Sequence, residues 1–440
     1  MWVKEIVLDN IKCFDKQKIR LGTNKNKPYP WVTLLGENGT GKSTVLQALA
    51  LLLAGPEGAS QLLKPLGWLR NEEQVGKISI KIHQGENDPN QYGTEKIRTT
   101  FGYTFFITGT KELTIRNKIY TEPAIIENIE KGLTWLRRNA LLPKGEAWFA
   151  AGYGAFRRLT RQNRFLIPSL QQPIRYTNFI SQFRENEPLE AFETWLVYLD
   201  YKISKSRGKD TLAKKQQEWG IKAINQILPA NNAFDKIDEN GRIWFKTGDK
   251  SVSTIALSDG FRSVMALVGD LAWRLIEGFP NSSNPLLEQG TVLIDELDIH
   301  LHPTWQRDIA EVLRHTFPNI QFITATHSPL VVAGAGEDAV TYRFYRKEGA
   351  VQVEKINNIH NKSIDDVLKS EAFGLVSVYA PETQKRIDRY YDLKKKINLS
   401  EEENKELETT IPFVEQALGY DTTESEIEQR MNEYIKNNWK

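Results

Sequence analysis

Eight consecutive residues, Gly36-Glu37-Asn38-Gly39-Thr40-Gly41-Lys42-Ser43, meet every fixed position of G-x-x-x-x-G-K-[ST], a spacing that holds a polyphosphate. Glycines remove the side chains that would block the anion, so successive backbone N–H groups converge on it. Lys42 is spaced to reach the β- and γ-phosphates and Ser43 to hold Mg²⁺, and the nucleotide contact is read through Thr44. A second group lies far along the chain. Gly290 to Glu296 reads GTVLIDE, an apolar strand ending in two acids. Beside a P-loop strand, Asp295 suits the metal, mostly through water, and Glu296 suits the general base that deprotonates an attacking water. Two buried carboxylates without a cation are costly, so the pair points to Mg²⁺.

Two further stretches complete this chemistry. Another apolar strand, Ile320 to Ala325, runs into Thr326-His327-Ser328-Pro329, where His327 is placed to donate to a γ-phosphate and to tell ATP from ADP. Leu257-Ser258-Asp259-Gly260 precedes a helix, and the Ser258 hydroxyl and Gly260 N–H suit either a helix cap or a further anion. Asp298, His300 and His302 follow the acidic pair; without a third nitrogen or sulfur ligand nearby they read as loop packing rather than a transition-metal site.

The elements that must position these groups are legible too. Trp31 to Leu35 is a buried strand, Ser43 to Ala54 is rich in helix formers, and Gly55 suits a C-terminal cap. The loop therefore sits at a helix N-terminus, where the dipole favours an anion. After Ser258, the residues Val264, Leu267, Val268, Leu271, Ala272 and Leu275 form one apolar helical stripe, and Pro303 suits the first position of a later helix. Trp2 to Leu8 and Lys18 to Leu21 read as an opening hairpin, either a sheet edge or a cover for the base with Lys12, Phe14 or Asp15 near the adenine. Val340 to Tyr345 and Val351 to Ile356 read as a hairpin closing the sheet.

Between about Leu62 and Ser251 lies a long insertion with strand-like pieces (Ile78 to Ile82, Thr100 to Ile107) and helical ones (Leu189 to Tyr201, Thr211 to Ile227), without sustained heptads. Inside it, Phe149 to Arg158 joins a glycine pair to aromatics and two arginines, as either a phosphate- or partner-facing loop or a solvated turn. Two basic clusters follow: Arg157, Arg158, Arg161 and Arg164, then Lys202, Lys205, Arg207, Lys209, Lys214 and Lys215. They are solvated faces or contacts to DNA, RNA or an acidic partner. The tail from Ser363 is helical and polar, with coiled-coil pairing open for Tyr390 to Ile411, where Pro412 is expected to stop the helix.

Composition bounds the class. At 440 residues, 40% hydrophobic and 26% charged, the chain suits a globular protein of two or three domains. A net charge of only +2 supplies no global field for nucleic acid. One cysteine, Cys13, excludes an internal disulfide and fits a reducing compartment. No secretory leader or membrane span is read, so the expected location is cytoplasmic.

Together these motifs resemble the ABC-type ATPases of the SMC, RecF and OLD group. The stretches LSDGFRSVMALVGDLAWRL, GTVLIDELDIHLHPTWQ and FPNIQFITATHSP are similar to bacterial ATPases of the PtuA type from the Septu antiphage system. The resemblance implies an α/β fold, a P-loop ABC-type ATPase head with a mixed central sheet, a large α+β insertion and a helical C-terminal tail. The expected divisions are 1–61, 62–250, 251–360 and 361–440. It implies a homodimer, or a higher oligomer of dimers, that sandwiches two ATP molecules with Mg²⁺, so that Leu257, Ser258, Asp259 and Gly260 of one copy close the P-loop of the other. It also implies a separate HNH-type effector nuclease; this sequence itself shows no HNH histidine cluster and no Toprim-like acidic stretch after the core. The alternative reading is a RecF- or SMC-like DNA-binding repair ATPase without a nuclease partner. A transporter-type glutamine loop is absent from the sequence pattern.

Overall fold

Trp31–Gly36 is the third strand of a six-stranded sheet, and its neighbours explain why it is apolar on both faces. The order is Ala350–Ile356, Val340–Lys347, Trp31–Gly36, Ile320–Thr326, Gly290–Ile294, Phe149–Tyr153, all parallel except the antiparallel first pair. The computed structural model describes residues 1–25, 27–85, 88, 100–141, 148–155, 174–184, 191–228, 232–357, 359, 362–375, 377–396 and 398–418. Every residue of Ile320–Thr326, Gly290–Ile294 and Phe149–Tyr153 is buried, as expected where both faces of a parallel sheet are covered.

The pleat divides these strands between two cores. Val32, Leu34, Leu293, Ile323 and Ala325 join the cluster beneath the helix that follows the P-loop. Trp31, Val292, Ile294, Ile320 and Phe322 join the cluster beneath the helix that follows Ser258. The helix after the P-loop and the helix after Ser258 therefore cover opposite faces of one sheet.

The acidic strand is not beside the P-loop strand, contrary to the sequence reading. Ile320–Thr326 lies between them, with Phe322 opposite Trp31 on one side and Val292 on the other. Parallel alignment still brings all three carboxyl ends to one edge, which is what the chemistry requires. Phe149–Tyr153, taken as part of a loop, is instead the buried edge strand beyond Gly290–Ile294. Phe156 to Arg158, with Arg161 and Arg164, lie outside the described residues.

The helix after the P-loop runs over Lys42–Leu62 but breaks at Gly55, whose φ of 81° and ψ of 170° are not helical, so Gly55 does end the first segment. The carbonyls this frees are buried and must be satisfied. The Tyr103 hydroxyl donates to Leu52 O, and Arg175, itself 3% exposed, donates to Leu53 O at 2.8 Å, Ala140 O at 3.3 Å and Trp148 O at 2.5 Å.

A five-stranded antiparallel sheet, Phe14–Arg20, Trp2–Ile11, Gly76–His83, Thr100–Ile107, Ile125–Glu127, lies against this helix, its inward side chains sharing one core with it. The stretch 62–250 thus supplies strands to both large sheets. It also carries the helices Ala191–Lys205 and Thr211–Ile227, packed on the helix Asp259–Gly278. That last helix is buried beyond its expected stripe, with Met265, Ala266 and Asp270 at 2% exposure or less, because it is covered from more than one side.

The chain divides into two compact units, Met1–Val367 with Glu371–Phe373, and Leu368–Ser370 with Gly374 onward. In the second unit, Pro381–Lys395 and Glu401–Leu418 pack together through Ile387, Tyr390 and Val414, with Arg389 paired to Glu406 at 2.7 Å. The break between these helices interrupts the Tyr390 to Ile411 stretch. Pro412 does not end the second helix: it lacks one N–H, and the helix continues to Leu418.

Candidate nucleotide site

The P-loop is built around its lysine. Lys42 is 6% exposed, and its ammonium donates to Gly36 O at 2.7 Å and Glu37 O at 3.0 Å, while Thr40 Oγ1 donates to Glu37 O at 2.7 Å. Gly39 and Gly41 have φ of 73° and 91°, the left-handed region. A Cβ on Gly41 would stand 2.5 Å from Cys13 Sγ and 2.6 Å from the Phe14 ring, so the hairpin turn leaves no room for a side chain there. Phe14 is consequently a fully buried residue behind the loop, ring to ring with Phe344, and does not face a base. Lys12 turns its ammonium to Gln47 Oε1 at 3.4 Å and over the Trp68 ring. Asn38 and Gly39 are exposed, Ser43 is half-buried and Thr44 is buried, at the first turn of the helix.

Across the sheet edge, Asp295 and Glu296 follow Ile294 directly. The Asp295 N–H donates to Tyr153 O at 2.8 Å, and the Glu296 N–H to Asp295 Oδ1 at 3.1 Å. Glu296 has φ of 44°, unusual for a residue with a side chain and costing on the order of 1–2 kcal/mol. Such strain is held only by surroundings that over-determine it.

Asp298, which sequence reading left to loop packing, ties two motifs together. Its Oδ1 accepts from the Thr326 hydroxyl and from the His327 N–H at 3.2 Å, and Thr326 Oγ1 in turn accepts from the Ser328 N–H at 3.0 Å. Gln306 reinforces the same joint, donating to Asp298 O at 3.3 Å and Leu301 O at 3.0 Å and accepting from Ser328 Oγ at 2.7 Å. The signal available was position alone: an acid just past a strand end. His302 caps the helix Pro303–Thr316 by accepting from the Thr304 N–H at 3.4 Å.

Electrostatics link the two halves. Burial lowers the Lys42 ammonium from its ordinary value, and Asp295, Glu296 and Asp298 oppose that by raising it. Burial, then Lys42, lowers the His327 imidazole, while Asp298, Glu296 and Asp295 raise it. One cation, three carboxylates and one imidazole thus share a field at the carboxyl ends of three adjacent parallel strands. The His327 Nε2 is buried without a hydrogen-bond partner among the described residues. Among the described residues, a loop of open N–H groups, a lysine held by loop carbonyls, an acidic pair and an orphaned imidazole nitrogen fit a nucleoside triphosphate with Mg²⁺.

Ser258 stands at the start of its helix, accepting from the Phe261 N–H at 3.4 Å, and is exposed. Asp259 is exposed as well, and Leu257 is half-buried. Gly260 is closed in by its own chain: a Cβ there would be 2.2 Å from His300 O. Ser258 and Gly260 make no hydrogen bond to the P-loop of the same chain among the described residues, so the structure does not bring this turn into the Lys42 cluster.

Fold and site together define a P-loop ATPase. The chain belongs to the family described as "AAA domain, putative AbiEii toxin, Type IV TA system", whose profile matches residues 32–333. Over 410 residues it is 26% identical to "Septu protein PtuA" of Bacillus mycoides (strain KBAB4), covering 92% of this chain and 49% of that one. Over 376 residues it is 25% identical to "Retron Vc95 probable ATPase" of Vibrio cholerae serotype O1 biovar El Tor, covering 74% of this chain and 71% of that one. The chain therefore spans about half the length of the first of these relatives. Among solved structures, an Smc head bound to the C-winged helix domain of ScpA aligns with a TM-score of 0.48 at 15% identity, over 81% of this chain and 98% of that one. The PtuA-type resemblance read from the motifs agrees with these matches. No helix among the described residues is long and apolar enough to cross a membrane.

Proposed function

We propose that this chain is an ATP-hydrolysing switch subunit of a bacterial antiphage defence complex, in which two copies close around two ATP molecules and control a separate HNH-type nuclease. The observation that carries the ATPase chemistry is the shared field of Lys42, Asp295, Glu296, Asp298 and His327 at one sheet edge. The similarity to Septu PtuA and to a retron ATPase supports the defence setting.

In this reading, the N–H groups of 36–44 cradle the phosphates and Lys42 neutralises charge developing toward the γ-phosphate. The Ser43 hydroxyl, and Asp295 through water, would hold Mg²⁺, which would supply further neutralisation of phosphate charge. Glu296 takes the proton of the attacking water. The orphaned Nε2 of His327 donates to the γ-phosphate. The exposed Ser258 turn of a second copy, with Leu257, Asp259 and Gly260, closes the open side.

Complementation tests the shared site. Lys42→Ala and Ser258→Arg are each expected to be inactive. If each site uses the P-loop of one copy and the turn of the other, half of randomly mixed dimers are mixed, and each has one intact site of two. Mixing equal amounts then restores about a quarter of wild-type turnover, on the counting of closed two-fold dimers. No recovery in exchanged mixtures would refute the trans arrangement while leaving the ATPase reading intact.

A further inference from the structure

The net charge of the chain is +2, yet one short segment carries more positive charge than the whole molecule. Residues 198–215 hold six cations, Lys202, Lys205, Arg207, Lys209, Lys214 and Lys215, against two acids, Asp200 and Asp210, a balance of +4. The remainder is therefore −2. In the fold this segment is the tip of the hairpin formed by Ala191–Lys205 and Thr211–Ile227, so charges from both helices and their turn come to one end.

The turn is tight. Arg207 and Gly208 have φ of 49° and 75°, the Gly208 N–H donates to Ile203 O at 2.8 Å, and the space beside the Gly208 Cα is met by the Lys214 ammonium, 3.2 Å from where a Cβ would stand. Lys205, Arg207, Lys209, Lys214 and Lys215 are exposed. Only Lys202 has an ion pair among the described residues, with Asp210 at 3.5 Å. Asp210 is also committed as a cap, accepting from the Ala213 N–H at 2.9 Å.

Stability alone does not account for this placement. Lys202 and Lys205 suit the C-terminal end of their helix, but Lys214 and Lys215 follow the N-terminus of theirs, where the dipole already favours negative charge and the first turn contains no acid. The two ends of the hairpin also differ. Toward its base, Trp195 donates to Glu277 Oε1 at 2.8 Å, and the ring of Phe192 fills the space beside Gly269 of the helix that Ser258 caps. The tip is thus a charged knob on a firmly packed stem.

We propose that this tip binds the phosphodiester backbone of a nucleic acid. Protein interfaces are depleted in lysine and organised around an apolar centre, whereas here five of the six cations are lysines and, among the described residues of 198–215, the large exposed apolar side chains are Tyr201 and Leu212. Lysines on flexible stems suit a regular row of phosphates. Aromatic rings are interleaved: Lys202 lies over Tyr198 and Lys205 over Tyr201, each at 5.7 Å, and Tyr201 is 49% exposed, open to a base or sugar face.

The test is fluorescence anisotropy with short labelled duplex DNA, duplex RNA and single strands, using the full chain. If about four phosphates are neutralised on a duplex, affinity falls about 10²-fold between about 50 mM and about 200 mM salt. The variant Lys205→Gln/Arg207→Gln/Lys209→Gln/Lys214→Gln should lose at least about 10-fold in affinity and flatten the salt slope, with an unchanged melting temperature and basal ATPase rate. Which probe binds best separates DNA from RNA as the source of the backbone. Wild-type affinity in the variant, or no binding of any probe at the lower salt, overturns the proposal. So does preferential binding of the tip to poly-glutamate or to phosphatidylserine vesicles, which would reassign it to an acidic protein or a membrane.

Discussion

Asp298 offers the sharpest test of the site, because both bonds it accepts at the joint with residues 326–328 end on one oxygen. Oδ1 takes the Thr326 hydroxyl and the His327 N–H. In Asp298→Ala both donors lose their acceptor, and hydrogen bonds to a charged group are worth about 1.5–3 kcal/mol each before relaxation. Allowing the hydroxyl to find another partner, the expected loss of stability is about 2–3 kcal/mol. The catalytic effect should be separate and larger than this suggests for a residue that need not touch the nucleotide. Freed of its anchor, the 326–328 turn no longer fixes His327, and a displacement of about 1 Å in a positioning group costs on the order of 10²-fold in rate. Asp298→Asn is the control: its amide oxygen can still accept both bonds, so only the charge is lost, and turnover should stay within about 5-fold of wild type, the scale of one weakened hydrogen bond. The assay is steady-state phosphate release at saturating ATP, beside thermal melting and binding of a fluorescent ATP analogue. The Ala variant should keep its nucleotide affinity and lose kcat. Wild-type kcat in Asp298→Ala refutes the argument outright, and an Asn variant as damaged as Ala shows that charge rather than geometry matters.

Glu296→Gln should retain ATP and lose hydrolysis by at least about 10²-fold, the usual contribution of a general base; hydrolysis at the wild-type rate removes that role from Glu296. Arg175→Met leaves three buried carbonyls short of a donor and should lower stability by about 3 kcal/mol, read from denaturant unfolding; a change under about 1 kcal/mol would mean that water replaces the guanidinium. Arg175 is itself held down to about 10 by burial, still charged at neutral pH. His327 has a lowered folded pKa, so its contribution to stability is present above the ordinary histidine value of about 6.5 and is lost as pH falls through the folded value. The His327 imidazole resonance of the nucleotide-free protein should titrate below that ordinary value, and a titration above it would contradict the effects of burial and of the Lys42 charge.

The residues proposed to hold phosphate, metal and water were legible in the sequence because their spacing is local. The 36–43 loop, the acidic pair Asp295-Glu296 and the Thr326-His327 turn each follow a short apolar run, and a run of that length closed by turn or charged residues reads as a buried strand with its loop at the carboxyl end. Ser258 as a cap and Pro303 as a first helical position were equally local matters of backbone donors. Tertiary structure decided what depends on which strand lies beside which. It interposed Ile320–Thr326 between the P-loop and acidic strands, made Phe149–Tyr153 an edge strand, and turned Phe14 into packing behind Gly41. It also gave Asp298 its partners 28 and 29 residues away. Periodicity records whether a side chain is buried; it carries no record of which distant group it is buried against, because that is set by long-range pairing of strands and by the geometry of the cores they enclose.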